Sequence, residues 1–205
     1  AGEPVIYDPI SVVAGQRQPF ANHFIPVARR DPVAVALLAH IPLPNLPGIA
    51  QNLRAAETEQ SSVHTYGARL DHQFRPSDSA FLRLSVFDAD DFSPFGSGVL
   101  QESLLPGFGR SLNTKAVSIA ASWSHIFSPF LLNEFRIGWL GVSGGQSSPN
   151  AGNHFAAQSG LLGVTSDARD AGYPQVSFGG QFSPVGDPAL FTSRKDRHLE
   201  VYDSV

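Results

Sequence analysis

The chain has 205 residues, 42% of them hydrophobic, enough for one large domain without requiring a second. With 14 basic against 18 acidic residues, a net charge of -4 and no basic block, nothing supports a nucleic-acid partner or a polybasic membrane anchor. Cysteine is absent, which excludes disulfides, thiolate metal sites and a cysteine nucleophile.

No run approaches 18 apolar residues, so no transmembrane helix is expected, and Ala1 is not followed by a basic region and an apolar segment of the signal-peptide kind. The opening AGEPVIYDP, with methionine absent throughout, is expected of an internal piece of a longer protein. The 19 glycines and 16 prolines favour an all-β, loop-rich chain.

Residues 1–61 carry little strand periodicity and prolines at 4, 9, 19, 26, 32, 42, 44 and 47, so they read as a long structured loop. Within it, Asp31-Pro32 ahead of VAVALLAHI predicts a short helix near 33–40: the carboxylate caps free amides, the proline takes the first helical position, and Pro42 ends the run. Pro42, Pro44 and Pro47 hold the next stretch extended.

From Ser62 the period becomes two, predicting strands at about 62–74, 79–90, 114–127, 131–142 and 196–205. In the first, Tyr66, Ala68, Leu70, His72 and Phe74 alternate with Thr65, Gly67, Arg69, Asp71 and Gln73; in the second, Ala80, Leu82, Leu84 and Val86 alternate with Phe81, Arg83, Ser85 and Phe87. The third sets Val117, Ile119, Ala121, Trp123, His125 and Phe127 against Ala116, Ser118, Ala120, Ser122 and Ser124. The fourth sets Leu131, Phe135, Ile137 and Trp139, with Asn133, against Glu134, Arg136 and Gly138. Strands of about a dozen residues exceed the usual five or six.

The connections alternate: short at 75–78 and 128–130, long at 91–113 and 143–194. Outer-membrane barrels have that rhythm, with short periplasmic turns and longer outer loops. The expected fold is therefore all-β, with long antiparallel up-and-down strands forming part of a transmembrane β-barrel. Residues 62–205 make the barrel segment, and 1–61 a loop region with one short helix. Arg69, Asp71, Arg83, Glu134 and Arg136 fall on the polar faces and are the candidates for lining a lumen. Trp123, Trp139, Tyr66 and Phe135 fall on the apolar faces, where they suit headgroup girdles or, equally by periodicity, a soluble core.

Other chemistry is sparse. Gly141-Val142-Ser143-Gly144-Gly145 fits a G-x-S-x-G nucleophile elbow, with Asp187 or Asp196 and then His198 in the right order for a serine hydrolase. However, Gln146-Ser147-Ser148-Pro149-Asn150 is a poor start for the helix an elbow needs. The seven histidines include no H-x-H or H-x-x-x-H pair, and Asp88, Asp90 and Asp91 lack the glycine and glutamate of a calcium loop, so neither a metal nor another cofactor is expected.

Several segments together resemble the barrel region of TonB-dependent outer-membrane receptors of the Oar-like group, which carry a carboxypeptidase-regulatory-like domain. They are Tyr7-Asp8-Pro9, the run from Arg17 through Pro19-Phe20, Asn22 and Ile25-Pro26 to Arg30-Asp31-Pro32-Val33-Ala34, Pro42-Leu43-Pro44-Asn45, Arg69-Leu70-Asp71-His72-Gln73-Phe74 with Ser77-Asp78, and Ser122 to Pro129 with Leu132 to Arg136. His198 to Ser204 is similar to the start of a further strand of that group. The resemblance implies outer-membrane lipid as solvent, a TonB complex engaged through an N-terminal plug and coupling box not contained in these residues, and a scarce substrate of unknown identity. The alternatives from other classes are a soluble serine hydrolase using Ser143 and a secreted or surface β-sheet binding module.

Overall fold

The computed structural model describes residues 5–96, 103–168, 171–178, 182–187 and 192–205; part of each long loop, including 97–102, lies outside the described residues. The strands are β1 (Tyr7–Val13), β2 (Gln16–Pro19), β3 (Gln60–Arg75), β4 (Asp78–Ser93), β5 (Arg110–Ser128), β6 (Leu131–Ser147) and β7 (Thr192–Ser204). The helices are α1 (Pro32–Leu38) and α2 (Phe155–Gln158). No helix among the described residues is long and apolar enough to cross a membrane.

Strands β3 to β7 form one antiparallel meander in sequence order, an open five-stranded sheet. Two-residue turns, Pro76-Ser77 and Pro129-Phe130, close the hairpins β3–β4 and β5–β6. Residues 94–109 and 148–191 make the other two connections. Proline suits both tight turns because its fixed φ fits a turn and it has no amide to offer the ladder. Strands β3 to β6 outrun their apolar stretches by several residues: pairing continues through Ser111↔Ser147 and Gln60↔Phe92, where polar residues predominate despite Phe92 and Leu112.

The chain divides into two compact units, one of residues 1–56 with 152–174 and one of 57–151 with 175–205. The second holds the five-stranded sheet. Beside the sheet, Asn150 Nδ2 donates to Gly107 O at 2.8 Å and to Asp187 Oδ1 at 2.7 Å, so one amide ties both long loops together.

The first unit differs from the sequence expectation of a loop with one helix, because residues 7–19 form the β1–β2 hairpin. Its turn places Ala14 at φ 49° and Gly15 at φ 80°, two consecutive left-handed residues of the kind a tight hairpin needs, with alanine where asparagine or glycine is usual. Helix α1 begins as the capping argument requires: the Ala34 amide donates to Asp31 Oδ1 at 2.9 Å and Pro32 opens the first turn. Tyr173 is almost fully buried, donates from its hydroxyl to Leu37 O at 2.9 Å, and with Phe155 flanks the His40 ring.

The first unit is also pinned by an ion pair. Arg29 Nη1 and Nη2 donate to Asp8 Oδ2 and Oδ1, both at 3.0 Å, and the Ile10 amide donates to Oδ1 at 3.0 Å. The Arg29 guanidinium, helped by that amide, holds the Asp8 carboxyl below its ordinary value. A carboxyl whose folded value is depressed stabilises the fold above its unfolded value, near 4, and loses that contribution as pH falls through the folded value. Limited proteolysis of residues 5–30 is therefore expected to be slow at pH 6 and faster at pH 3, whereas Asp8→Asn is cleaved fast at both. Equal cleavage of the two proteins at pH 6 would remove the pair from the stability of this unit.

Candidate membrane belt and charged face

The register of β3 to β7 arranges outward-pointing side chains in rows across the sheet, because residues directly opposite share a face. Tyr66, Val86, Val117 and Gly141 form one row, with Arg197 at its β7 end, Ala68, Leu84, Ile119, Trp139 and Leu199 the next, and Leu70, Leu82, Ala121, Ile137 and Val201 the third. His72, Ala80, Trp123 and Phe135 form a fourth, with Asp203 at its β7 end. These side chains are not buried: Ile119 is 42% exposed, Ile137 39% and Leu82 50%. A soluble sandwich would cover such a face with a second layer, and contiguous apolar surface of this extent marks a partner or a membrane.

Polar rows close the apolar surface at both ends. On the side of the short turns lie Asp78, His125 and Asn133, and on the side of the long loops Asp88, Lys115 and Ser143. On each of β4, β5 and β6 the two markers stand ten residues apart, about 34 Å of strand at about 3.4 Å per residue. Tilted by about 40°, that length spans about 26 Å, against about 25 Å for the apolar band of outer-membrane barrels. The lower row is tied laterally, with His125 Nδ1 2.5 Å from Asp78 Oδ1 and Asn133 Nδ2 donating to Asp203 Oδ1 at 2.8 Å.

Aromatic rings sit toward these margins. Trp123, His125 and Phe127 run in ring contact along β5 near the short turns, Trp123 tilted against His125 and His125 edge to face with Phe127. Near the long loops, the Trp139 indole lies over Gly141, where a Cβ would come within 2.5 Å of the ring. Tyr66 occupies the neighbouring level on β3.

The opposite face carries all five charged candidates. Arg69 Nη2 pairs with Asp71 at 2.7 Å and its guanidinium lies 4.2 Å from the centre of the Phe81 ring. Glu134 accepts from Arg136 Nη2 at 2.6 Å and from Ser122 Oγ at 3.1 Å. These two groups stand on β3 and β6 with β4 and β5 between them, and Arg69, Asp71, Phe81, Ser122, Ser124 and Glu134 line one open cleft of about 570 Å³. Arg83 stands directly opposite Arg69, like charge facing like, and opposite Ala120 on its other side. Sequence reasoning did not assign Arg194, Asp196, His198, Glu200 and Tyr202 to the charged face, yet they extend it onto β7 with an Arg194–Asp196 pair. Their signal was present, since alternate residues from 192 to 204 carry polar or ionisable groups.

The G-x-S-x-G match takes a different form from an elbow. Ser143 lies in mid-strand on β6, opposite Lys115 and Lys195, and β6 continues to Ser147 with no helix after it. His198 and Asp196 stand opposite Leu140 and Val142, on the other face of the sheet from Ser143. A serine nucleophile and its base must be within hydrogen-bond reach, which opposite faces of one sheet forbid. Asp88 and Asp90 are likewise separated by face from Asp91, and no group of three metal-binding side chains occurs among the described residues.

A search of curated proteins finds no match for this chain, and a search of solved structures finds none. A family model described as an outer membrane beta barrel domain matches residues 1–205, the full length of the chain. With its exposed apolar rows spanning about one hydrocarbon thickness, the chain belongs to this outer membrane β-barrel domain family and resides in the outer membrane of a Gram-negative bacterium.

Proposed function

We propose that the chain is part of a TonB-dependent outer-membrane transporter, in which the charged face of the sheet lines the lumen and the long loops help to admit a scarce substrate. The observation that carries this reading is the strict alternation of two-residue turns with long loops around strands that are apolar on one face and charged on the other. Arg69, Asp71, Arg83, Glu134 and Arg136 offer donors and acceptors of both signs, and Phe81 a flat apolar surface. That mixture suits an oligomer of sugar or peptide, or a chelated metal, better than a single small ion. Energy would reach the barrel through the TonB complex, engaged by a plug and coupling box elsewhere in the full protein.

Deleting the complete gene and measuring growth on a panel of carbon and iron sources tests the reading. A defect on one source, reproduced by removing TonB, is the expected result. No uptake defect on any source, or a full reading frame with no plug upstream of the barrel, overturns it.

A further inference from the structure

Above the apolar rows, on the lipid-facing side, the sheet carries a cleft of about 480 Å³ that neither the belt nor the charged face accounts for. Its floor is β6, where Ser143, Gly145 and Ser147 present only small side chains, and its walls are Asp88, Asp90, Asn113 and Lys115 on one side and Ser193 and Lys195 on the other. Lys115 and Lys195 both stand opposite Ser143, so they are two strand spacings apart, about 10 Å. Two flexible four-carbon stems can bring both ammonium groups onto one ligand seated over Ser143. One step lower, Arg197 stands opposite Gly141 on the same face. Lys115 is 3.6 Å from Asp88, whereas Lys195 and Arg197 have no ion pair among the described residues.

Height in the membrane identifies the partner. Barrels of this kind turn their long loops outward, so the cleft lies at the headgroup level of the outer leaflet, directly above Val117, Ile119, Trp139 and Leu199. A molecule that fits has an anionic group for Lys115, Lys195 and Arg197, hydroxyls for Ser143, Ser193 and the carboxylates of Asp88 and Asp90, and acyl chains for the rows beneath. We propose that this cleft is a binding site for a phosphorylated glycolipid of the outer leaflet. The site rests on the lipid-facing belt and not on transport, so a barrel that carried nothing would still hold it.

The test uses the full-length protein purified from outer membranes into detergent, with retained lipid measured by native mass spectrometry against added lipid A, dephosphorylated lipid A and inorganic phosphate. Wild type is expected to retain lipid A and to release most of it when the phosphates are removed, with inorganic phosphate failing to displace it. Each basic residue at a membrane surface contributes roughly fivefold, so Lys115→Gln with Lys195→Gln and Arg197→Gln lowers retention by roughly 100-fold. Arg83→Gln, on the opposite face and outside the cleft, leaves it unchanged, and the triple Lys115→Arg, Lys195→Arg and Arg197→Lys restores it, which separates charge from folding. Equal retention of the two lipid forms by wild type, or full retention by the glutamine triple variant, overturns the site.

Discussion

Ile137→Arg is expected to cost about 2 to 4 kcal/mol and to reduce the assembled fraction of the full-length protein sharply, because a guanidinium at the middle of the apolar belt would sit near the bilayer midplane. Ile137 occupies the third row, between Ala121 and Val201, three rows from the polar margin by the long loops and two from the margin by the short turns. Arginine at Ser118, one residue from Ile119 but on the other face, meets water and charge and is expected to stay within about 0.5 kcal/mol of wild type. Heat-modifiable mobility of the folded barrel reads both. A spin label at Val117 or Ile137 adds a signature that packing alone does not give: accessibility to oxygen with protection from a polar relaxation agent. Protection from both would mean that a protein layer covers these rows, and would end the assignment of this face to lipid.

The second large effect is expected at Gly145. A Cβ there would lie 2.3 Å from the carbonyl oxygen of Thr192 on β7, and one at Gly144 would lie 2.5 Å from Asn113 O on β5. Both obstacles are backbone atoms of paired strands, which cannot rotate aside as a side chain can. Gly145→Ala must therefore shift β7 away from β6, losing bonds around Gly145↔Ser193, at about 1 to 3 kcal/mol, the usual range for overpacking. Gly138, in the same strand, has open space around its missing Cβ, so Gly138→Ala is the matched control and is expected within about 0.5 kcal/mol. Denaturant midpoints of the two variants decide the point. Equal midpoints would mean that the upper end of β6 is free to relax.

The five long strands and their facing could be read from alternation alone because a barrel wall separates two solvents, and each strand records the difference residue by residue, as in Val117 to Phe127. Their ends could not. Above Lys115 and Ser143 both faces meet water or loops, so the alternation fades while the hydrogen-bonded ladder continues to Ser147. The β1–β2 hairpin was hidden for another reason: Pro9 and Pro19 break the pattern of a strand, and Ala14-Gly15 is not a familiar two-residue turn. Of the charged face, the pairs on β3 and β6 could be read because partners two residues apart share a side. That Arg83 would stand against Arg69 depends on the register across the Pro76-Ser77 turn. The opposite facing of Ser143 and His198 follows from the register of β6 against β7 across 148–191, which no local pattern encodes.

The alternation of connection lengths also orders the acquisition of structure. Closing a loop costs roughly 0.6 kcal/mol for each doubling of its length, so the connections at 94–109 and 148–191 carry about 2 to 3 kcal/mol more closure entropy than the turns at Pro76-Ser77 and Pro129-Phe130. Pairing of β3 with β4 and of β5 with β6 is sequence-local, and contacts of low sequence separation form fastest. The β3–β4 and β5–β6 hairpins are therefore expected to pair first, each already carrying its own greasy and wet sides. The lateral joints between β4 and β5 and between β6 and β7, which close the long connections, are expected to form later.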